Sequence, residues 1–249
     1  MIDTRAFDGQ TAIVTGGTRG IGRAMTLAFL EQGARVHATW TGNEAAAAAL
    51  QDEAARFEGR LVLHRFDVTD EAAVESFWTG LESEASGVQI LMSNAGIRRD
   101  QIVGTMPAND WRAVLDVNLT GSFLMAKQAV RAMLPRKYGR IVFVTSPSGL
   151  HGIQGQANYA ASKAGQIGLM RSLAREVGKR KITVNCLSPG FVETELLADL
   201  PEEAKAEHKR RVPIGRFADP IEIAHAALFL ASRGASYVNG TTLEVHGGI

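Results

Sequence analysis

In "QANYAASKAG", residues 156–165, Tyr159 and Lys163 stand four apart among alanines, a serine and a glycine. Four residues is about one helical turn, so a helix here brings a phenol and an ammonium onto one face. A phenol can donate a proton, but its ordinary pKa of about 10 is too high for ready exchange near neutrality. An ammonium about 5 Å away, at an effective dielectric of about 20, stabilises the phenolate by roughly 3 kcal/mol, about two pK units. The pair is suited to general acid–base work. Alone it reads equally well as an exposed helix face, but Ser146, thirteen residues upstream at the end of an apolar run, favours a site. Ser148 is a rival to Ser146, because Pro147 holds Ser146 extended and removes an N–H from the loop. His151, between serine and tyrosine, is expected to line the entrance rather than act as a base. The other histidines, 37, 64, 208, 225 and 246, show no metal spacing, so no metal is expected. Cys186, the single cysteine, sits in the apolar "ITVNCLSPG" and is expected to be a buried, inert thiol.

A second cluster suits a nucleotide. "TGGTRGIG", residues 15–22, follows an apolar run and carries Gly16, Gly20 and Gly22 into a helix expected to begin near Ile21. A strand, a glycine turn and a helix N-terminus together form a phosphate cradle, because glycines allow close backbone approach and the first-turn N–H groups attract a pyrophosphate. The next strand ends in "ATWTGN", with no acid to hold a ribose 2′-hydroxyl. Thr39 and Thr41 can donate to a 2′-phosphate and Arg19 can supply charge, so NADPH is favoured over NADH. "FDVTD" places Asp67 and Val68 near an adenine, with Asp67 equally able to cap the following helix. "SNAG", residues 93–96, brings another glycine turn to the strand ends, where ligands of such sheets bind.

These residues need a frame that collects strand ends at one edge. "TAIVTG", "ARVHATW", "RLVLHRF", "VQILMSN", "GRIVFVTS", "KITVNCLSP" and "TTLEVHG" read as seven strands, apolar without strict alternation and separated by stretches long enough for crossover helices. That pattern predicts a doubly wound α/β Rossmann fold, a seven-stranded parallel sheet with helices on both faces. Helices are expected over "NEAAAAALQDEAARF", over 109–134 and over 157–179. Residues 1–249 are read as a single domain. Charged "FVETELLADLPEEAKAEHKRR", residues 191–211, interrupts the rhythm and is read as a substrate lid, with a solvated surface helix as the plainer alternative.

Bulk properties narrow the function classes. The 249 residues are 45% hydrophobic with no apolar run approaching the roughly 20 needed to span a bilayer, and the first residues carry no basic-then-apolar export pattern. A soluble, cytoplasmic protein is expected, with no membrane partner. A net charge of +1 with interspersed signs argues against a nucleic-acid surface.

TGxxxGxG at 15–22, NAG at 94–96, Asn118 in "DVNLTG", Ser146, YxxxK at 159–163 and PG at 189–190 together resemble the nicotinamide-dependent short-chain dehydrogenase/reductases over essentially the whole chain. "GQANYAASKAG" and "ITVNCLSPGFVET" look like the 3-oxoacyl-acyl-carrier-protein reductases of type II fatty-acid synthesis. The resemblance implies Tyr159 as proton donor to an alkoxide, Ser146 as a second donor, Lys163 as tuner of the phenol and ligand of the nicotinamide ribose, and Asn118 as holder of a relay water. It implies a cofactor contacted by Gly16, Thr18, Arg19, Gly20, Ile21, Gly22, Thr39, Asp67, Val68, Asn94, Ala95, Gly96, Tyr159, Lys163, Pro189, Gly190, Val192 and Thr194. The activity implied is NADPH-dependent reduction of a 3-keto acyl thioester. Reductases or dehydrogenases of free or CoA-linked ketones, sugars or polyols share all these residues, and a nucleotide-sensing protein would be expected to lack Tyr159 or Lys163. Lys137 and Arg180, in "PRKYGR" and "GKRK", match positions that dock an acyl carrier protein, and a homotetramer with 222 symmetry is implied. Arg98, in "NAGIRRD", departs from the usual small polar residue; it can alter substrate choice or simply be solvated.

Overall fold

A computed structural model describes residues 5–81, 87–195 and 202–249. Seven strands form one parallel sheet in the order β3-β2-β1-β4-β5-β6-β7. They are β1 (Thr11–Val14), β2 (Arg35–Trp40), β3 (Leu61–Arg65), β4 (Ile90–Ser93), β5 (Gly139–Val144), β6 (Ile182–Pro189) and β7 (Thr242–Val245). All seven segments read as strands are strands. The order reverses between β1 and β4, opening the crevice at which such sheets bind ligands.

The sheet is buried on both faces, which explains why β1, β4, β5 and β6 read as apolar runs rather than alternations. On one face α1 (Gly20–Glu31), α2 (Glu44–Glu53) and the late helix Pro220–Ala231 pack Met25, Phe29, Leu50, Ile223 and Leu230 against Val14, Val36 and Leu187. On the other, α3 (Glu71–Leu81), α5 (Gly121–Met133) and α7 (Ala157–Val177) pack Phe77, Trp78, Met125, Met133 and Met170 against Ile13, Leu91 and Phe143.

One helical expectation changes in detail, and one short helix was not expected. Residues 109–134 are not one regular helix: α4 (Ala108–Leu115) runs into a π turn at Asp116–Thr120 and only then into α5. The wider turn frees the Asn118 carbonyl, which accepts from Ser122 Oγ at 2.6 Å and Gln166 Nε2 at 2.7 Å. A four-residue helix, α6 (Ser148–His151), also follows β5 and packs so tightly on α7 that a Cβ on Gly149 would lie 2.8 Å from Ala164 N.

The segment read as a lid contains the charged helix α8 (Glu202–Arg211), while residues 196–201 lie outside the described residues. His208 of α8 meets the Phe191 ring at 4.7 Å and Lys209 Nζ lies 5.1 Å from the Phe217 ring centre. The helix Pro220–Ala231, α9, then begins on a capping box of Asp219 and Glu222. Among the described residues, no helix is long and apolar enough to cross a membrane.

Candidate active site

Ser146 stands two residues beyond the end of β5, and Tyr159 lies in the first turn of α7, with its side chain paired to that of Ser146. Lys163, one turn on, is buried; its Nζ donates to Val144 O at 2.8 Å and sits 5.5 Å from the Tyr159 ring centre. The small residues of "YAASKAG" serve this placement: a Cβ on Gly165 would meet Leu119 Cδ2 at 2.7 Å, so α7 lies directly against the π turn.

The rivalry between the serines is resolved by their partners. Ser148 is buried and its hydroxyl donates to Gln156 Oε1 at 2.7 Å, while its N–H donates to Ser146 Oγ at 3.2 Å. Ser148 therefore braces Ser146, and Ser146 is the serine beside Tyr159.

Asn118 is wholly buried and acts as a clamp. Its Oδ1 accepts from Ile97 N at 2.8 Å, and its Nδ2 donates to Ile97 O at 3.1 Å and to Ser162 Oγ at 3.0 Å. The NAG turn is thereby pinned to α7. A Cβ on Gly96 would lie 3.2 Å from Asn118 Oδ1 and 3.6 Å from Lys163 Nζ, so this glycine keeps the two side chains in one small space.

The phenol differs from the sequence expectation. Burial pushes the Tyr159 hydroxyl above its ordinary range, while the Arg98 guanidinium and the bond with Ser146 pull it back down. Lys163, whose ammonium donates to Val144 O, is itself desolvated, its pKa lowered to about 8. Cys186, buried beneath, is pushed up to about 12 by burial, as befits an inert thiol.

The glycine turn lies at the same sheet edge. Gly16 and Gly20 adopt left-handed φ values of +62° and +52°, and a Cβ on Gly22 would run into the Gly16 carbonyl. Asn94 holds this turn, its Nδ2 donating to Thr15 O at 3.0 Å and Gly16 O at 3.2 Å. Asn94 N and Ala95 N both donate to Thr15 Oγ1 at 2.9 Å. α1 starts at Gly20 with no capping side chain and no acid in its first turn. Those free N–H groups and the absence of side-chain bulk fit the pyrophosphate of a dinucleotide. Thr18 is buried, Ile21 packs partly into the core, and Arg19 is exposed, 4.0 Å from Glu195.

The remaining residues expected at the cofactor are distributed around this cradle. Thr39 is buried, its hydroxyl accepting from Gly16 N at 3.3 Å, so it supports the turn from beneath; Thr41 is exposed. Asp67 Oδ1 accepts from Thr69 N and Oγ1, both at 2.9 Å, and Asp70 instead caps α3 at Ala73 N. Val68 is buried against the site of Gly121. Pro189 ends β6, and the N–H of Gly190 donates to Val245 O at 3.0 Å. Val192 is buried in a bridge to Ala218, and Thr194 Cγ2 lies 3.5 Å from where a Gly20 Cβ would be.

Arg98 was singled out in the sequence, whereas Asp100, Gln156, Gln166 and Arg65 were not. Arg98 is not simply solvated: its Nε donates to Asp100 Oδ1 at 3.2 Å and an Nη to Asp100 Oδ2, with the guanidinium 6.0 Å from the Tyr159 ring centre. Asp100 also accepts from Gln156 Nε2 at 2.9 Å. Gln166 holds the π turn, and Arg65 lies 5.1 Å over the Trp40 ring with its Nε on Thr41 O, placing a cation at the end of β2. Arg65 was legible as a basic residue at a strand end; the others are joined by contacts between segments far apart in sequence.

A family model described as enoyl-(acyl carrier protein) reductase matches residues 16–249. The chain is 42% identical to the Escherichia coli 3-oxoacyl-[acyl-carrier-protein] reductase over 98% of both chains, and 39% identical to that of Aquifex aeolicus over the same shares. It also superposes, with a TM-score of 0.92 and 32% identity over 97% of this chain and 96% of the other, on a crystal structure from Agrobacterium tumefaciens provisionally assigned as a gluconate dehydrogenase. Together with the Tyr159–Ser146 pair beside a dinucleotide cradle, these likenesses show that the chain belongs to the short-chain dehydrogenase/reductase family, as a nicotinamide-dependent oxidoreductase acting on CH–OH and C=O groups.

Proposed function

We propose that the protein is an NADPH-dependent reductase of 3-oxoacyl thioesters, taking its substrate from an acyl carrier protein and forming the 3-hydroxyacyl product. The observation that carries the chemistry is the pairing of the Tyr159 and Ser146 side chains at the sheet edge that holds the glycine cradle. The bound nicotinamide supplies a hydride. Tyr159 gives its phenolic proton to the substrate oxygen while Ser146 Oγ–H donates a hydrogen bond to the same oxygen. Lys163, with a pKa near 8, exchanges a proton at neutral pH and so can recharge the phenolate. Asn118 acts by holding the NAG turn and α7 together, and a relay water beside it is part of the same reading.

Substrate class is supported by the site's surroundings. Ile102 and Val103, just past the Arg98 loop, and Leu150 and Ile153, on and beyond α6, are exposed apolar side chains on two loops joined by Gln101 N to Gly155 O at 2.7 Å. An acyl chain can cover such surface, whereas a polyol gains little there. The likeness to the Agrobacterium structure favours a sugar acid or polyol as the second reading. The preference for NADPH rests on Arg19 and Arg65 and on the absence of an acid after β2.

We infer docking of the carrier at Lys137 and Arg180. Gly139 and Ile182 are register partners, and these cations, each two residues earlier, precede the paired starts of β5 and β6. Tyr159 and Ser146 lie beyond the other end of β5, roughly 20 Å away for a six-residue strand. Docking there therefore suits delivery into a site of another copy. We further infer one unit spanning 1–249, a cover over the site from 191–211, a homotetramer and a cytoplasmic location.

The test measures oxidation of NADPH and NADH against 3-oxoacyl carrier protein, acetoacetyl-CoA, simple ketones and gluconate-type sugars. Tyr159→Phe is expected to lose nearly all turnover while binding NADPH normally. Retention of most of kcat overturns the assignment of Tyr159, and a sugar acid preferred over the thioesters overturns the substrate.

A further inference from the structure

The side chains around Tyr159 form a closed ring. Starting from the phenol, the ring passes to Ser146 Oγ, on which Ser148 N donates at 3.2 Å, and then through Ser148 Oγ to Gln156 Oε1 at 2.7 Å. Gln156 Nε2 donates to Asp100 Oδ2 at 2.9 Å, Asp100 grips Arg98 through both carboxylate oxygens, and the Arg98 guanidinium returns to within 6.0 Å of the Tyr159 ring centre. Ser148 and Gln156 are buried, while the Arg98 and Asp100 side chains are 33% and 36% exposed, so the ring is anchored from its buried half.

We propose that Arg98 is a positioning residue for the proton transfer: Asp100, braced by Gln156, holds its guanidinium against Tyr159, where it favours the phenolate left after the proton is given to substrate. The proposal rests on the reading of Tyr159 as proton donor. Lys163 is the other cation within reach: its Nζ lies 5.5 Å from the ring centre while donating to Val144 O, so Arg98 adds a second, separately held charge. From the loop after β4 the charges facing the phenol are Arg98 and Asp100, which pull its pKa in opposite directions, with Arg98 the stronger. From β5 and α6 it meets the neutral Ser146, and the β6 thiol of Cys186 faces Lys163 instead. A guanidinium fixed by two hydrogen bonds to one carboxylate keeps its charge at a set distance, which a lone solvated arginine would not.

The test compares the wild type with Arg98→Thr and Arg98→Lys in two ways. One is the pH profile of kcat for oxidation of the 3-hydroxyacyl product. The other is the phenolate absorbance of the apoprotein, with Tyr159→Phe subtracted so that only one of the three tyrosines is read. Removing a neighbouring cation raises a phenol pKa, so Arg98→Thr should move both titrations upward by about one pH unit, with Arg98→Lys recovering part of the shift and NADPH affinity unchanged. Titrations of Arg98→Thr that superimpose on the wild type, even with a lower kcat, overturn the proposal, and so does a loss confined to cofactor affinity. If Tyr159→Phe retains turnover, the proton-donor reading fails, and the absorbance arm still reports whether Arg98 acts on the phenol.

Discussion

Lys163 carries a large electrostatic cost, because its ammonium is buried with one carbonyl as its hydrogen-bond acceptor. Its pKa falls from 10.5 to about 8 on folding, a displacement worth roughly 3 kcal/mol. Below pH 8 both folded and unfolded chains bind this proton and the full cost is present. Between about 8 and 10.5 the unfolded chain binds more protons, so stability rises with pH across that window. Lys163→Met should therefore abolish turnover yet raise Tm at pH 7 by several degrees, partly offset by the orphaned Val144 carbonyl, at about 1 kcal/mol. The Tm of the wild type should climb between pH 7 and 10 more than that of the variant; a variant less stable at pH 7 refutes the account. For the serines, Ser146→Ala is expected to lower kcat by about 100-fold or more, as when a transition-state donor is lost. Ser148→Ala should lower it less, by loosening Ser146 and Gln156; kinetics of both variants with one substrate decide. Tyr159, Lys163 and Ser146 were legible because each carries its own chemistry at a recognisable spacing. Arg98 could be marked only as a departure, and Asp100 and Gln156 not at all, since their roles exist only once chain segments 56 residues apart are brought into hydrogen-bonding contact.

The seven strands could be read from the chain because burial on both faces demands apolar runs, and the helices between them because small and apolar residues recur at helical spacing. The π turn could not, since a single wide turn inside a helix leaves the surrounding periodicity almost intact. Its support is visible only in space: Ser122 and Gln166 satisfy the Asn118 carbonyl that the wide turn frees. α9 shows a local signal of the legible kind. Asp219 accepts from Ile221 N at 3.2 Å, Glu222 Oε2 accepts from Asp219 N at 2.8 Å, and Pro220 occupies the first helical position. Arg216 grips the Glu222 carboxylate at 2.6 and 2.7 Å and helps hold its pKa down to about 2. This contribution is fully present above about 4.5 and is lost progressively as pH falls from there through about 2. Asp219→Ala should cost about 1 kcal/mol, lowering Tm by about 2–4 °C without changing kcat. Because Ala218 bridges Val192, a larger fall accompanied by weaker NADPH binding would show that the cap also holds the 190–195 turn at the cofactor.

Across the whole molecule, large apolar side chains remain exposed on both faces of the sheet. Phe123, on α5, is 46% exposed outside the core formed with α3 and α7; Phe229, on α9, is 51% exposed outside the core formed with α1 and α2. Single exposed apolar residues are ordinary, but these stand on helices whose inner faces are fully packed, and Trp111 and Tyr237 add exposed aromatic surface. A molecule with 222 symmetry has distinct self-complementary interfaces, each meeting its own copy across a two-fold axis. If α5 forms one and α9 another, a charge placed on one helix breaks only the interface that contains it. Phe123→Glu and Phe229→Glu should then each give dimers by light scattering, the double variant monomers, and the unaltered chain tetramers. The same series tests carrier docking. Lys137 and Arg180 lie at the opposite sheet edge from their own Tyr159, so delivery to a neighbour's site requires the interface that brings the two together. One of the two dimers should therefore keep activity on acetoacetyl-CoA but lose most of its advantage with carrier-bound substrate, as should Lys137→Glu with Arg180→Glu in the intact assembly. Equal carrier activity in every assembly state would mean that docking and chemistry are served within one chain.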